Sequence, residues 1–116
     1  MRFALCFPDV YEIGMSHLGS RILYNVLNSR ADTACERAYA PWPDMERAMR
    51  ENQIPLYSLE TFTPVRDFDL VGFTLQYEMS YTNVLNMLDL AGIPMTWKER
   101  DAVDAPFVVC GGPCAF

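Results

Sequence analysis

The sequence predicts an α/β fold built on a doubly wound, mainly parallel sheet. Three observations carry this reading. Apolar runs bounded by turn residues alternate with helical segments along the 116 residues. The strongest run, Leu70-Val-Gly-Phe-Thr-Leu75, is apolar nearly throughout, as suits a strand covered on both faces. The strongest helical segment, Ser80 to Ala91, lies between two such runs, which makes a β-α-β unit the natural arrangement.

The elements follow in order. Arg2 to Phe7 is a first strand. Ser16 to Ser29 is a helix, with Ser16 as N-cap and Leu18, Ile22, Leu23, Val26 and Leu27 as one apolar stripe. Ala34 to Tyr39 is a weaker second strand. Pro43 suits a first helical turn, so Asp44 to Asn52 is a helix with Met45, Ala48 and Met49 on one face. Ile54 to Leu59 is extended, and Thr61 to Phe68 is loop. Asp69 to Gln76 is the next strand. The helix from Ser80 carries Tyr81, Val84, Leu85, Leu88 and Ala91 at helical spacing, and Gly92 and Pro94 end it. Met95 to Lys98 is extended or loop, and Phe107 to Cys110 is the last strand. Right-handed crossovers place helices on both faces. A five-stranded fold of this kind would need a further helix and strand after Phe116, so the expectation is a domain cut short at its carboxyl end.

Composition narrows the function. A 51% hydrophobic content fits one globular domain, and a net charge of −6 without a basic run argues against a nucleic-acid face. No apolar run approaches the length of a membrane span. The start, Met1-Arg-Phe-Ala-Leu-Cys-Phe7, meets Pro8 and Asp9 too soon for a signal peptide. The expected location is the cytoplasm. Of the four cysteines, Cys6 and Cys110 sit inside predicted strands, where a buried free thiol is the ordinary state. Cys110 and Cys114 have too few visible partners for a metal site.

In doubly wound folds, ligands bind at the carboxyl ends of the strands. The segments there are Pro8 to Gly14, Tyr39 to Trp42, Gln76 to Tyr81 and Gly111 to Ala115. The first loop is long for a strand-to-helix connection, yet it lacks the glycine fingerprint of a dinucleotide site and the P-loop pattern. A phosphate loop for a flavin and the acidic cluster of a receiver module are missing too. His17 is the one histidine, and it reads as a surface or packing residue or as a ligand contact. Tyr77 and Tyr81 either line a pocket or cap the core. Trp42, between two prolines, is an interface anchor or a packing residue. No nucleophile–base pair is evident from spacing, so no catalytic residue and no metal ligand is assigned.

Five stretches in order resemble the amino-terminal cobalamin-binding-like domain of radical S-adenosylmethionine (radical SAM) proteins. They are Cys6-Phe-Pro-Asp-Val-Tyr-Glu-Ile-Gly-Met-Ser-His-Leu-Gly19, Ala40-Pro-Trp-Pro-Asp-Met-Glu46, Asp69-Leu-Val-Gly-Phe-Thr-Leu-Gln-Tyr-Glu78, Tyr81 to Pro94, and Gly111-Gly-Pro-Cys-Ala-Phe116. The resemblance implies a Rossmann-like or flavodoxin-like fold within a longer protein. Its next domain, a partial (β/α) barrel, would hold a [4Fe–4S] cluster and S-adenosylmethionine on a C-x-x-x-C-x-x-C motif, which these residues do not contain. It implies cobalamin as a ligand of this segment, with Tyr11, Glu12, His17, Thr74, Gln76, Tyr77, Gly111 and Gly112 as contact candidates. Around His17 the order is Gly14-Met-Ser-His-Leu-Gly19, without the aspartate of the D-x-H-x-x-G lower-ligand motif. Cobalamin would then be held by the strand ends and not by a histidine. The alternative is a purely structural domain of the same fold. The expected partners are the downstream radical SAM domain and, through an open sheet edge, a second copy.

Overall fold

The computed structural model describes residues 1–10, 18–75, 80–101 and 103–111. Within them lie β1 (Arg2–Phe7), α1 (Leu18–Asn28), β2 (Ala34–Tyr39), α2 (Pro43–Glu51), a 3₁₀ turn (Val65–Asp67), β3 (Leu70–Thr74), α3 (Ser80–Ala91), α4 (Trp97–Asp101) and β4 (Phe107–Gly111). The strands form one four-stranded sheet in the order β2-β1-β3-β4, and every pair is parallel. This is the arrangement of Rossmann-like and flavodoxin-like sheets, as the sequence predicts.

The strand order dictates where the helices go. The chain steps from β1 to β2 in one direction, then from β2 past β1 to β3 and on to β4 in the other. Right-handed crossovers therefore put α1 on one face and α2 and α3 on the opposite face. The contacts agree. Arg50 on α2 donates to Asp89 and Asn86 on α3 at 2.8 and 2.7 Å, so these helices lie side by side. Asn86 also donates to Glu46 of α2. Tyr24 on α1 meets Arg37 of β2, with the guanidinium 4.4 Å from the ring centroid.

The main core lies under α2 and α3. Ala4, Cys6, Ala38, Val71 and Phe73 from the sheet pack with Met49, Val84, Met87 and Leu88 from the helices. Met87, absent from the predicted stripe of α3, is fully buried, whereas Leu85 and Tyr81 of that stripe are exposed. α3 ends as predicted: Gly92 takes φ +73°, and the Ile93 amide reaches back to the Leu88 carbonyl at 2.9 Å.

Three expectations need correction. The stripe of α1 is not a core face: Leu18, Ile22, Leu23 and Val26 are exposed, Leu18 by 67%, and the buried residue of the helix is Ser20. Residues 97–101 form a short helix that overlaps the end of Met95 to Lys98, expected as extended or loop; a five-residue Trp-Lys-Glu-Arg-Asp segment is too short to show periodicity. Cys110 is exposed because β4 is an edge strand. Ile54 to Leu59 makes only one bridge, Tyr57 to Pro64.

A polar clamp fastens residues 58–63 to the sheet. The buried Glu36 carboxylate accepts from Ser58 Oγ at 2.7 Å, Thr61 Oγ1 at 2.5 Å and Arg2 Nη2 at 3.1 Å. Arg2 also donates to Thr63 and lies over the Phe68 ring. Burial alone would raise the Glu36 pKa, but these hydrogen bonds outweigh it and hold the carboxyl below its ordinary range.

Candidate functional site

The strands end along one edge of the sheet, where the fold places its ligand crevice. Asp9 joins two of the ends: its carbonyl accepts from the Ala40 amide at 2.9 Å. Asn83 of α3 fixes the exit of β1 by donating to the Pro8 carbonyl at 3.0 Å. At the other two ends, Thr74 of β3 and Gly111 of β4 are register partners, and the Leu75 amide donates to the Gly111 carbonyl at 2.6 Å.

Thr74 is the most telling residue at this edge. It is buried, yet among the described residues its Oγ1 has no hydrogen-bond partner. An unsatisfied buried hydroxyl costs on the order of 1–3 kcal/mol. Such an atom marks a place where a polar group from outside these residues would be welcome. Beside it, a Cβ built on Gly111 would meet nothing within 4 Å, so the backbone there is open to close approach. The two residues share a cavity of about 420 Å³ on the α1 face of the sheet, lined also by Phe3, Leu5, Gly19, Leu23, Gly72 and Val109. Its lining is largely apolar, and Thr74 is the one residue of it with a polar side chain besides the Cys110 thiol.

Gly72 is the contributor that sequence reasoning misses. A Cβ here would lie 2.8 Å from Phe3 Cζ. The Phe3 ring therefore rests on bare backbone and floors the cavity. A lone glycine inside an otherwise β-branched and aromatic strand signals such a close approach. Its partner could not be named from sequence, because the strands lie far apart in the chain.

Of the candidate contacts, Thr74 and Gly111 are thus brought together. Tyr11, Glu12, His17, Gln76, Tyr77 and Gly112 lie outside the described residues, as does Cys114. Trp42 lines a second cavity of about 220 Å³ with Met45, Met49, Leu56, Tyr57 and Phe62. Phe62 holds a left-handed backbone, φ +56°, and meets Tyr57 edge to face at 5.7 Å.

The described thiols are not activated. Burial pushes Cys6 up, pushes Cys35 up to about 12 with Glu60 adding to it, and raises exposed Cys110 as well. All three shifts disfavour the thiolate form. Among the described residues no cluster of three or more His, Cys, Asp or Glu could hold a metal ion. No described helix is long and apolar enough to cross a membrane.

Fold and edge together define a doubly wound α/β domain with an apolar slot and one unsatisfied hydroxyl at its strand ends. Residues 19–116 match the family of radical SAM proteins, N-terminal, and the chain belongs to that family. It is also similar to an uncharacterized protein of Methanocaldococcus jannaschii, 27% identical over 112 residues. That match covers 96% of this chain and 19% of the archaeal protein, so the chain spans about a fifth of its relative's length. No solved structure matches the chain.

Proposed function

We propose that this chain is an accessory domain of a radical SAM protein that holds the tail of a cobalamin in the slot between α1 and the ends of β3 and β4. The observation that carries the reading is buried Thr74, whose hydroxyl has no partner among the described residues, beside open Gly111 in the lining of a largely apolar cavity of about 420 Å³. The residues fit such a group. A mostly apolar slot suits a flat heteroaromatic base, and one hydroxyl in its lining can orient a polar tail atom. Thr74 would donate or accept one hydrogen bond, Gly111 would allow backbone approach, and Leu23 and Val109 would flank the base. Bound cobalamin would supply organocobalt chemistry to a neighbouring catalytic domain. The cluster and S-adenosylmethionine would be held elsewhere, and cytoplasmic location goes with that oxygen-sensitive chemistry.

Titration of the protein with hydroxocobalamin, followed in the visible spectrum, tests this. A saturable shift is expected, weakened in the Thr74→Val variant. Absence of any shift at high micromolar ligand, with circular dichroism showing the protein folded, would overturn the cofactor reading. Because the aspartate of the histidine-ligation motif is missing, the cob(II)alamin form should lack histidine nitrogen hyperfine splitting in its EPR spectrum.

A second reading has its own support. The exposed apolar side chains of α1 and β4 suit a domain whose role is to pack against its neighbour. It predicts no spectral shift, but loss of the neighbouring domain's stability when this domain is deleted.

A further inference from the structure

The smaller cavity, where edge strand β2 ends and α2 begins, is walled at a conformational cost. Phe62 carries its ring on a left-handed backbone, φ +56°. That region suits glycine or asparagine and is disfavoured for a bulky aromatic residue. The ring gains little burial in return, since it is 69% exposed. A residue held this way needs surroundings that over-determine it, and they are present. The Phe62 amide donates to the Ser58 carbonyl at 3.1 Å, and the Ser58 amide donates to the Thr63 carbonyl at 2.9 Å. The Glu36 carboxylate holds the Ser58 and Thr61 hydroxyls. The Leu59 amide donates to the Arg37 carbonyl on the edge of β2 at 2.7 Å.

A second exposed aromatic in the lining is as firmly set. Trp42 stands between Pro41 and Pro43 and is 56% exposed. Pro43 restricts the residue before it, and Trp42 takes extended backbone at φ −60° and ψ 155°. Ala38, Met49 and Leu56 form the buried part of the lining. Alanines at 38 and 40 are too small to fill the hollow, and methionine adapts its shape to what enters.

Size and lining choose the occupant. The volume is about 220 Å³, and an apolar cavity of about 150 Å³ is enough to hold benzene. One ring, or two fused rings, therefore fits. No lining residue is charged, so an ionised group would lose its water there without compensation. Aromatic walls suit an aromatic guest. The apolar surface stops at the rim, where α2 exposes Asp44, Arg47, Arg50 and Glu51. A protein partner needs a patch on the order of 800 Å², which this rim does not continue.

We infer that this hollow is a binding site for a neutral aromatic ring of a small molecule, with Phe62 and Trp42 as preformed walls. It is separate from the slot proposed for a cobalamin tail. That slot lies against α1, β3 and β4, whereas this hollow lies against α2 and β2. The strain at Phe62 then has a use. A glycine would make the same turn without strain and leave the hollow without a wall.

Methionine-methyl NMR of the protein, titrated with indole, tests the proposal. Saturable ring-current shifts are expected at Met45 and Met49, which line the hollow, and not at Met1 or Met87, which do not. Tetramethylammonium should move none of the four. Phe62→Tyr should keep indole binding. Phe62→Gly should weaken it about tenfold, while the urea midpoint holds or rises, because glycine accepts this backbone freely. Absence of shifts at Met45 and Met49 in the folded protein, or unchanged affinity in Phe62→Gly, would overturn the site. A lower midpoint in Phe62→Gly would make the ring a structural residue and overturn it too. So would preference for tetramethylammonium, or tighter binding of a tryptophan-containing peptide than of indole, which would make the hollow a docking point for another chain. Cobalamin binding is read separately from the visible spectrum, so either idea can fail alone.

Discussion

The two faces of this sheet come from the same four strands and differ in what covers them. Under α2 and α3, Val71 and Phe73 are buried in a continuous core. On the other side, Phe107 and Val109 of β4 are open, and α1 meets the sheet through Ser20, Tyr24 over Arg37 and Asn28 on the Cys35 backbone. One face makes the domain stable. The other presents surface, a cavity and an unsatisfied hydroxyl. Covered core and open surface are thus separated by side-chain parity along the strands, because successive residues point to opposite faces.

The largest test of this contrast compares two phenylalanines. Phe73→Ala should lower unfolding free energy by about 3–5 kcal/mol in urea titration. Phe107→Ala should change it by less than about 0.5 kcal/mol in these 116 residues. Similar losses would erase the distinction between the faces.

Next in size is the Glu36 clamp, which belongs to the covered face. Glu36→Gln should cost about 2 kcal/mol, since the bonds it weakens end on a charged acceptor. The pH dependence has a definite sign. Glu36 is held below its unfolded pKa, so its stabilising contribution is fully present above the unfolded value, about 4.3. That contribution is lost as pH falls through the folded pKa. Urea midpoints measured from pH 7 downward should fall more steeply in the parent than in the Gln variant.

Thr74→Val probes the open face. Removing an unpartnered buried hydroxyl should stabilise the domain by about 1 kcal/mol while weakening ligand binding. A gain in melting temperature with unchanged cobalamin affinity would detach Thr74 from the site.

The smallest effect is expected for Gly72→Ala. The new Cβ would strike the tip of the Phe3 ring. That tip can swing into the open cavity, so the change should stay within about 0.5 kcal/mol here.

Much of this architecture was legible in the sequence. The strands Arg2–Phe7 and Ala34–Tyr39 match their predicted bounds, and β3 and α3 form where the apolar runs and the Gly92 stop place them. Gly111 could be singled out because it stands at the end of an apolar run, and Thr74 because the resemblance to cobalamin-binding-like domains implies a contact there. Their pairing follows from the parallel register of neighbouring strands. What stayed illegible depends on tertiary partners. The period of α1 identifies an apolar stripe, but a period does not say which stripe residues meet the sheet. Phe3 over Gly72 needs a register between residues far apart in the chain. Cys110 was misjudged because an apolar run reads the same in a central strand and in an edge strand.

The strand order also governs how the domain assembles. β1, the first strand made, is a central strand, flanked by β2 and β3. Neither of its edges is satisfied until residues 34–39 and then 70–74 have been synthesised and have closed large loops back onto it. Parallel pairings of this kind postpone their reward until chain entropy has been lost, so folding should be slow and cooperative rather than local. The amino-terminal strand is therefore the piece that waits longest for its partners, and the one whose exposure a nascent chain must survive.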